Sequence, residues 1–316
     1  MIMNMVLAGS LLLVPAAAPD PGGAGGGDSS SVRVEADQKG RTSGLTLKNS
    51  QIIVSGNGRG GKSDGYRLKR PCWYEPAQNP EDMLRYQQSV NPRPDPDAPQ
   101  TRQKALEPFA DKLGEEGRWW VVAHDSSDPN GVGCQMAMDP YVFVPPGTTP
   151  PNGITMAELA DIARAALTVP EPAIELSPDA KSYVNLPTWV WLSGAGETTR
   201  SVTATLPGVM SATVTANLRD IEIDPGTTDD KRAKVTTSGC GASGTPYAKG
   251  AAFTCGVNYL RASVDQPRGV YELTVTSVWD VGVEDDAVPV AYDPIEASAT
   301  RDVPVGEVQS TVRKTG

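Results

Sequence analysis

Residues Ser201 to Leu218 read SVTATLPGVMSATVTANL, and this stretch decides the fold class. Pro207-Gly208 divides it into two halves, and within each half Thr or Ser mostly separates the apolar residues. The apolar set occupies even positions: Val202, Ala204, Leu206, Ala212, Val214, Ala216 and Leu218. A period of two is typical of strands with one buried face, so the stretch predicts a β-hairpin.

The alternation continues downstream and defines a C-terminal β-rich region. Tyr271, Leu273, Val275 and Trp279 follow the same pattern. Short strands separated by turn signals are typical of a β-sandwich, which we predict over residues 198–316.

Residues 145–197 read as a proline-rich linker, a capped helix and strands. PPGTTPPNG, from Pro145 to Gly153, is the linker. Thr155 and Glu158 have capping-box spacing, and the helix should end before Pro170. Its apolar stripe, at helical spacing, consists of Leu159, Ile162, Ala163 and Ala166.

Residues 32–144 mix strand and helix signals, so we predict an α+β region there. The strand candidates include Val32–Ala36, Gln51–Ser55, Arg118–His124 and Tyr141–Val144. The helix candidates are Glu81–Val90 and Thr101–Leu113, the second containing the helix-breaking Pro108. The predicted fold class is therefore mainly β, with an N-terminal α+β region joined to a C-terminal β-sandwich.

The N-terminus has the build of a secretory signal peptide, residues 1–18. An apolar run from Met5 to Pro15 is too short to span a bilayer, and Ala16–Ala18 is a small-residue cleavage site. No Lys or Arg precedes the run, so the true start could lie upstream; an apolar tail is the alternative. Residues 19–31 are rich in Gly, Ser and Pro and predict a flexible linker. We expect a secreted or cell-envelope protein with no transmembrane span after signal removal.

The four cysteines, Cys72, Cys134, Cys240 and Cys255, fit export. Three pairings are possible, and the local one, Cys72–Cys134 and Cys240–Cys255, matches the domain division. The second pair encloses a loop of about 15 residues, for which a bridge contributes roughly 3 kcal/mol.

The formal net charge of −10 argues against two classes of partner. An acidic chain repels both nucleic-acid phosphates and anionic lipid, so we expect neither as a ligand.

IIVSGNGRGGKS, from Ile52 to Ser63, contains a complete P-loop pattern built on Gly56, Gly61, Lys62 and Ser63. A phosphate site also needs a helix starting at Gly-Lys-Ser, but Gly65 and Pro71 leave no room for one. It further needs an acidic magnesium partner; the candidates, Asp125 and Asp224, lack a parallel βαβ context. The pattern is interpreted as spurious, a mobile glycine-rich turn, and we expect no cofactor.

Other candidate sites have equally ordinary explanations. His124, the only histidine, precedes Asp125, Ser126 and Ser127, yet adjacent strand residues point to opposite faces, which disfavours a hydrolase triad. The acidic stretches lack the calcium-loop pattern, so no metal is predicted; they are Asp95/Asp97, Asp229-Asp230 and Glu284–Asp286. Trp189 and Trp191 share one strand face, either as a ligand platform or, the favoured interpretation, as core.

Several short motifs together resemble exported actinobacterial proteins of unsettled function, often labelled ATP/GTP-binding. The motifs are Cys72–Pro76, Trp119-Trp120, Thr155–Ala160, Leu176–Pro178, Val184–Gly194 and Val305–Gln309. The resemblance implies that the C-terminal half is an immunoglobulin/PKD-like β-sandwich. Ile221–Gly226 keeps a strand and turn where that fold has a Trp-Asp-x-Gly-Asp-Gly signature.

The favoured functional hypothesis is an exported, non-catalytic cell-surface or envelope protein that binds a protein or glycan through its β-domain. The alternatives are an exported hydrolase using His124 and nearby carboxylates, and, more remotely, a nucleotide hydrolase using Lys62 and Ser63.

Overall fold

The computed structural model of the protein describes residues 45–91, 99–193, 197–284 and 288–308. The predicted signal peptide, the linker and the Val32–Ala36 strand lie outside these residues, as do Asp95, Asp97, Asp285, Asp286 and the region from 309 onward. Within the described ranges the chain is mainly β, with several antiparallel sheets.

The strands, in chain order, are β1 (Leu47–Lys48), β2 (Ile53–Ser55), β3 (Cys72–Pro76), β4 (Arg118–Asp125), β5 (Tyr141–Val144), β6 (Ala173–Ser177), β7 (Ser182–Tyr183), β8 (Pro187–Ser193), β9 (Thr199–Leu206), β10 (Met210–Asp224), β11 (Ala233–Thr236), β12 (Gly256–Tyr259), β13 (Tyr271–Val283), β14 (Ile295–Val303) and β15 (Val305–Gly306). The α-helices are α1 (Pro80–Val90), α2 (Pro99–Ala110), α3 (Gly131–Met136) and α4 (Met156–Ala166).

The predicted hairpin is confirmed as β9 and β10, which pair with Val202 opposite Val214. These two strands form the middle of a five-stranded antiparallel sheet with the order β14-β13-β10-β9-β2. Because Val202, Ala204, Val214 and Ala216 are fully buried, the even positions face the core as the alternation predicts.

The long strands of this sheet carry two cores along one face. A β-bulge between Leu218 and Asp220 of β10 changes the buried positions from even to odd, so Ile221 continues on the inward face. Before the bulge the face packs against α4, and beyond it the core includes residues of a four-stranded sheet, β11-β12-β8-β6. Tyr259 and Tyr271 stack in that second core, with ring centroids 4.6 Å apart.

Helix α4 begins with the predicted capping box, in which Thr155 Oγ1 accepts from the Glu158 N–H and the Glu158 carboxylate accepts from the Thr155 N–H. Its apolar stripe is buried as predicted. The helix also buries Arg164, whose guanidinium lies 4.7 Å from the Tyr66 ring and bonds to the Asp64 carboxylate. This contact ties the 64–66 segment to the helix.

The N-terminal sheet is built on β4. Strand β3 pairs with one edge of β4, while β1 and β5 share the other edge, β5 at its start and β1 at its end. The predicted helices around this sheet are α1 and α2; α2 ends two residues after Pro108, which removes a backbone donor.

Strand β2 comes from the N-terminal region of the sequence yet pairs with β9. The five-stranded sheet therefore combines strands from both sides of the 145–197 segment. The sheet built on β4 and the five-stranded sheet share a core that runs from Leu45 to Ala297.

Candidate functional site

The P-loop pattern follows β2, an edge strand of an antiparallel sheet, rather than forming part of a βαβ unit. Strand β2 pairs with β9, and no helix starts between Ser63 and Pro71, all of which the structure describes. Backbone groups that a phosphate would need are bonded within the chain: the Gly58 N–H donates to Ser201 O at 2.8 Å, and the Lys62 N–H to Val169 O at 2.7 Å.

The glycines of the pattern are required by close packing. A Cβ on Gly56 would lie 2.2 Å from Ser201 O, and one on Gly61 would lie 2.3 Å from Val169 O. A Cβ on Gly58 would lie 2.5 Å from the Leu167 side chain. The segment predicted to be mobile is therefore bonded and packed between strand β9 and the residues after α4.

The two residues that would handle phosphate and magnesium have other partners. Lys62 Nζ donates to Glu171 Oε1 at 2.8 Å and to Ser298 O at 2.9 Å. Ser63 Oγ accepts from the Gly65 N–H at 3.0 Å. Lys62 thus connects the segment to β14, and its role in this geometry is structural.

His124 is buried at the end of β4, and its Nδ1 has no hydrogen-bond partner among the described residues. Burial lowers the pKa of His124, because desolvation penalises the charged imidazolium more than nearby Asp125 stabilises it. Ser127 Oγ donates to Asp125 Oδ1 at 2.6 Å and Ser126 Oγ to Thr46 O at 3.2 Å. Both hydroxyls are therefore bonded away from the histidine, and Asp125 caps a turn.

Trp189 is covered rather than displayed. It is 4% exposed, and Tyr247 and Phe253 pack edge-on against it with centroids 5.8 and 5.4 Å away. Trp191 is half-buried on the same strand face and forms a β-bridge with Gly244. The 240–255 segment thus covers the Trp189 indole and pairs with the backbone at Trp191, which removes Trp189 as a ligand platform.

The disulfides are Cys72–Cys134 and Cys240–Cys255, the local pairing. The second closes the segment that covers Trp189. The first joins β3 to α3, and α3 forms one wall of a cleft.

This cleft, which we call the amide cleft, has a volume of about 740 Å³. The described residues that line it are all uncharged, and they combine amide side chains with Met and aromatic residues. The amides are Asn49, Gln51, Gln78 and Gln135; the others are Ser50, Ala77, Met83, Tyr86, Val121, Val122, Met136, Met138, Pro140 and Tyr141. Such a lining offers neutral donors and acceptors beside adaptable apolar surface, which suits a neutral polar ligand.

Glu75 fixes the wall at Ser50 and Gln51 from beneath. Its fully buried carboxylate accepts from Ser50 Oγ at 2.7 Å, from the Gln51 N–H at 2.7 Å and from Trp73 Nε1 at 2.8 Å. Burial raises the pKa of Glu75, while these three donors act in the opposite direction. Because the carboxylate is enclosed and fully bonded, Glu75 positions the cleft wall and does not face a ligand.

The rim of the cleft includes the most exposed of its apolar side chains. Met136, the last residue of α3, is 82% exposed, and Tyr86 on α1 is exposed as well. An exposed Met beside a cleft is surface that a partner can cover. Sequence reasoning missed this site because its lining comes from separate segments; the one local signal is the Met- and Gln-containing run Gln135–Met138.

Comparison with protein-family models, curated proteins and solved structures finds no match to this chain. The resemblance to exported actinobacterial proteins therefore stays a prediction. Among the described residues, no helix is long and apolar enough to cross a membrane, and no cluster of His, Cys, Asp and Glu has the arrangement of a metal site.

Proposed function

We propose that the protein is an exported, non-catalytic component of the cell surface or envelope that binds an uncharged segment of a partner protein in the amide cleft. The observation that carries the proposal is the lining itself. Charged residues make up 21% of the chain, yet none of the described residues that line the cleft is charged. Burying a charged ligand there without a partner would be costly, so the cleft favours neutral ligands.

Location outside the cytoplasm is supported by the two disulfides, since such bonds persist in oxidising compartments. The signal-like N-terminus and the resemblance to exported proteins point the same way. The proposal also keeps an immunoglobulin/PKD-like arrangement for the C-terminal half, supported by two antiparallel sheets that contribute to one core.

The binding surface proposed here differs from the β-domain platform expected from the sequence. Trp189 lies under Tyr247 and Phe253, whereas the amide cleft is open beside Met136 and Tyr86. A protein segment suits the cleft better than a sugar, because Met side chains adapt to apolar peptide residues. A glycan remains the competing outcome of the test.

The hydrogen bonds around His124 support the non-catalytic part of the proposal. The Ser127 hydroxyl donates to Asp125 rather than to His124, so the nucleophile-to-base contact that a triad requires is missing among these residues. Robust turnover by the purified protein in a broad hydrolase screen, abolished by His124→Ala, would overturn the non-catalytic part of the proposal.

The binding test uses phage-displayed libraries of uncharged peptides, followed by affinity measurement for the best peptide. Met136→Lys places a charge at the cleft rim and should weaken binding about tenfold or more, since it also removes apolar contact. Val264→Lys is the matched control: Val264 is 86% exposed and is not part of the cleft. It adds the same charge and should leave affinity unchanged.

Two results would contradict this proposal. Equal weakening by Met136→Lys and Val264→Lys would show that net charge, not the cleft, governs binding. Selective binding of neutral sugars on a glycan array, displaced by Met136→Lys, would assign the cleft to a glycan instead.

A further inference from the structure

The edge of β4 that faces the amide cleft is interrupted at Val122. Hydrogen bonds show which edge the backbone N–H and C=O of each β4 residue face. The Trp119 N–H donates to Gln78 O and the Trp119 C=O accepts from the Ala77 N–H, both on the β3 side. The Asp125 N–H also faces that side. Alternate residues along a strand point to opposite edges, so the N–H and C=O of Val122 point to the edge shared by β1 and β5.

Both strands on that edge stop short of Val122. Strand β5 pairs with Arg118–Val121, and β1 pairs with His124 and Asp125. Continuing either register would place Ser50 or Pro140 opposite Val122, and both of these residues line the amide cleft. Among the described residues, Val122 therefore has no ladder partner on this edge, where it lines the cleft.

Local chemistry explains why each strand ends where it does. Asn49 has a φ of 54°, a left-handed conformation that turns the chain off the sheet after Lys48. The following Ser50 and Gln51 are held by Glu75 instead. On the other side Pro140 has no N–H to donate to the ladder, so β5 begins only at Tyr141.

The cleft reaches the interrupted edge directly. Val121 and Val122, whose side chains point to opposite faces of the strand, both line it, so the cleft meets the sheet at its edge and not on one face. None of the backbone hydrogen bonds between described strand and loop residues uses the Val122 N–H or C=O. Buried backbone groups in proteins are almost always paired, so this pair is a place for an external partner.

We propose that a partner peptide bound in the amide cleft pairs one of its residues with Val122, donating its N–H to the Val122 C=O and accepting from the Val122 N–H. This inference rests on the proposed function, because it names how the ligand of that cleft is held. The two bonds are those of one hydrogen-bonded pair in an antiparallel ladder. The peptide pairs with the edge at that residue only, because β5 already pairs with Val121 and β1 with His124.

The geometry makes a specific demand on the peptide. The residue opposite Val122 must carry an N–H, so it is not proline, and the residues around it are uncharged because the lining offers no counter-charge. Apolar side chains beside it meet Met83 and Met138, and neutral amides meet Gln51, Gln78 and Gln135.

The first experiment scans the best library peptide with single N-methyl groups, using the intact disulfide-bonded protein. One position should lose about tenfold or more in affinity, because the N-methyl group removes the donor to the Val122 carbonyl and leaves that carbonyl unpaired. Positions whose N–H faces solvent should tolerate the change. Uniform tolerance at every position would overturn the inference.

The second experiment measures amide hydrogen exchange by NMR for Val122, with Val121 as the matched control on the β3 side. Peptide binding should slow exchange of the Val122 amide about tenfold or more and leave Val121 unchanged. A peptide that binds and is sensitive to Met136→Lys, yet leaves Val122 exchange unaltered, would overturn this inference while the proposed function stands. A sugar that protects Val122 would overturn the peptide as occupant, and loss of all cleft-dependent binding would overturn both.

Discussion

Gly61 provides the sharpest test of the packing role of the P-loop pattern. A Cβ built there lies 2.3 Å from Val169 O and 2.7 Å from Val169 C, and both are backbone atoms that no side-chain rotation can move. Gly61→Ala must therefore push the two chain segments apart by about 1 Å to restore ordinary contact.

The cost follows from the bonds that this shift disturbs. The Lys62 N–H to Val169 O bond of 2.7 Å and the Val169 N–H to Lys62 O bond of 3.0 Å lie next to the clash. Losing both costs about 2 kcal/mol, and overpacking adds about 1 kcal/mol or more. We expect a loss of about 3 kcal/mol in the free energy of unfolding, or a Tm lower by roughly 6–12 °C.

Gly60→Ala is the matched control because it is adjacent and in the same pattern. A Cβ at Gly60 has no atom within 4 Å, but its φ of 83° disfavours alanine. That conformational strain costs about 1 kcal/mol. Urea denaturation followed by tryptophan fluorescence measures both variants. Equal destabilisation by the two, or a stable Gly61→Ala, would refute the close-packing explanation.

Three further predictions concern single features. Lys62→Ala should lower the free energy of unfolding by less than about 1 kcal/mol, because the Lys62–Glu171 ion pair is largely exposed. Calorimetry with Mg-ATP should give no binding heat for the wild type or the variant, and nucleotide binding that is lost in the variant would contradict this. The double variant Cys240→Ser, Cys255→Ser should lower the free energy of unfolding by about 3 kcal/mol and expose Trp189, which would shift its fluorescence emission to the red. Unchanged emission would show that the packing over the indole does not depend on the disulfide. Because the pKa of His124 is lowered in the folded protein, the unfolded chain binds this proton more readily. The stability is therefore full above about pH 6.5 and falls as the pH drops below that value. His124→Gln should flatten that part of the Tm-versus-pH curve, and an unaltered curve would contradict the assignment.

The parts of the fold that sequence reasoning anticipated depend on neighbouring residues. The β9–β10 hairpin and the capping box at Thr155 are encoded within a few positions of themselves, and the structure has both. The bulge after Leu218 could not be predicted in the same way, because it is defined by how β10 pairs with the distant strand β13. The burial of Arg164 on α4 could not be predicted either, because its partners Tyr66 and Asp64 lie about a hundred residues earlier in the chain.

The amide cleft was beyond the reach of sequence patterns for a related reason. Its opening at Val122 results from two events on different segments, the left-handed turn at Asn49 and the missing donor at Pro140. Each is ordinary by itself, and only the registers of β1 and β5 on β4 bring them to adjacent positions, opposite Ala123 and Val122. The P-loop pattern shows the converse: a complete motif whose glycines serve chain packing.

The order of strands in the five-stranded sheet sets the timing of folding. Its two edges are β2, near residue 54, and β14, near residue 299, so the sheet spans almost the whole described chain. A sheet closed by such distant segments has a high contact order, and forms slowly. During synthesis, the sheet cannot be completed before β14 has left the ribosome. The sheet is therefore complete only when two segments from opposite ends of the described chain have come together.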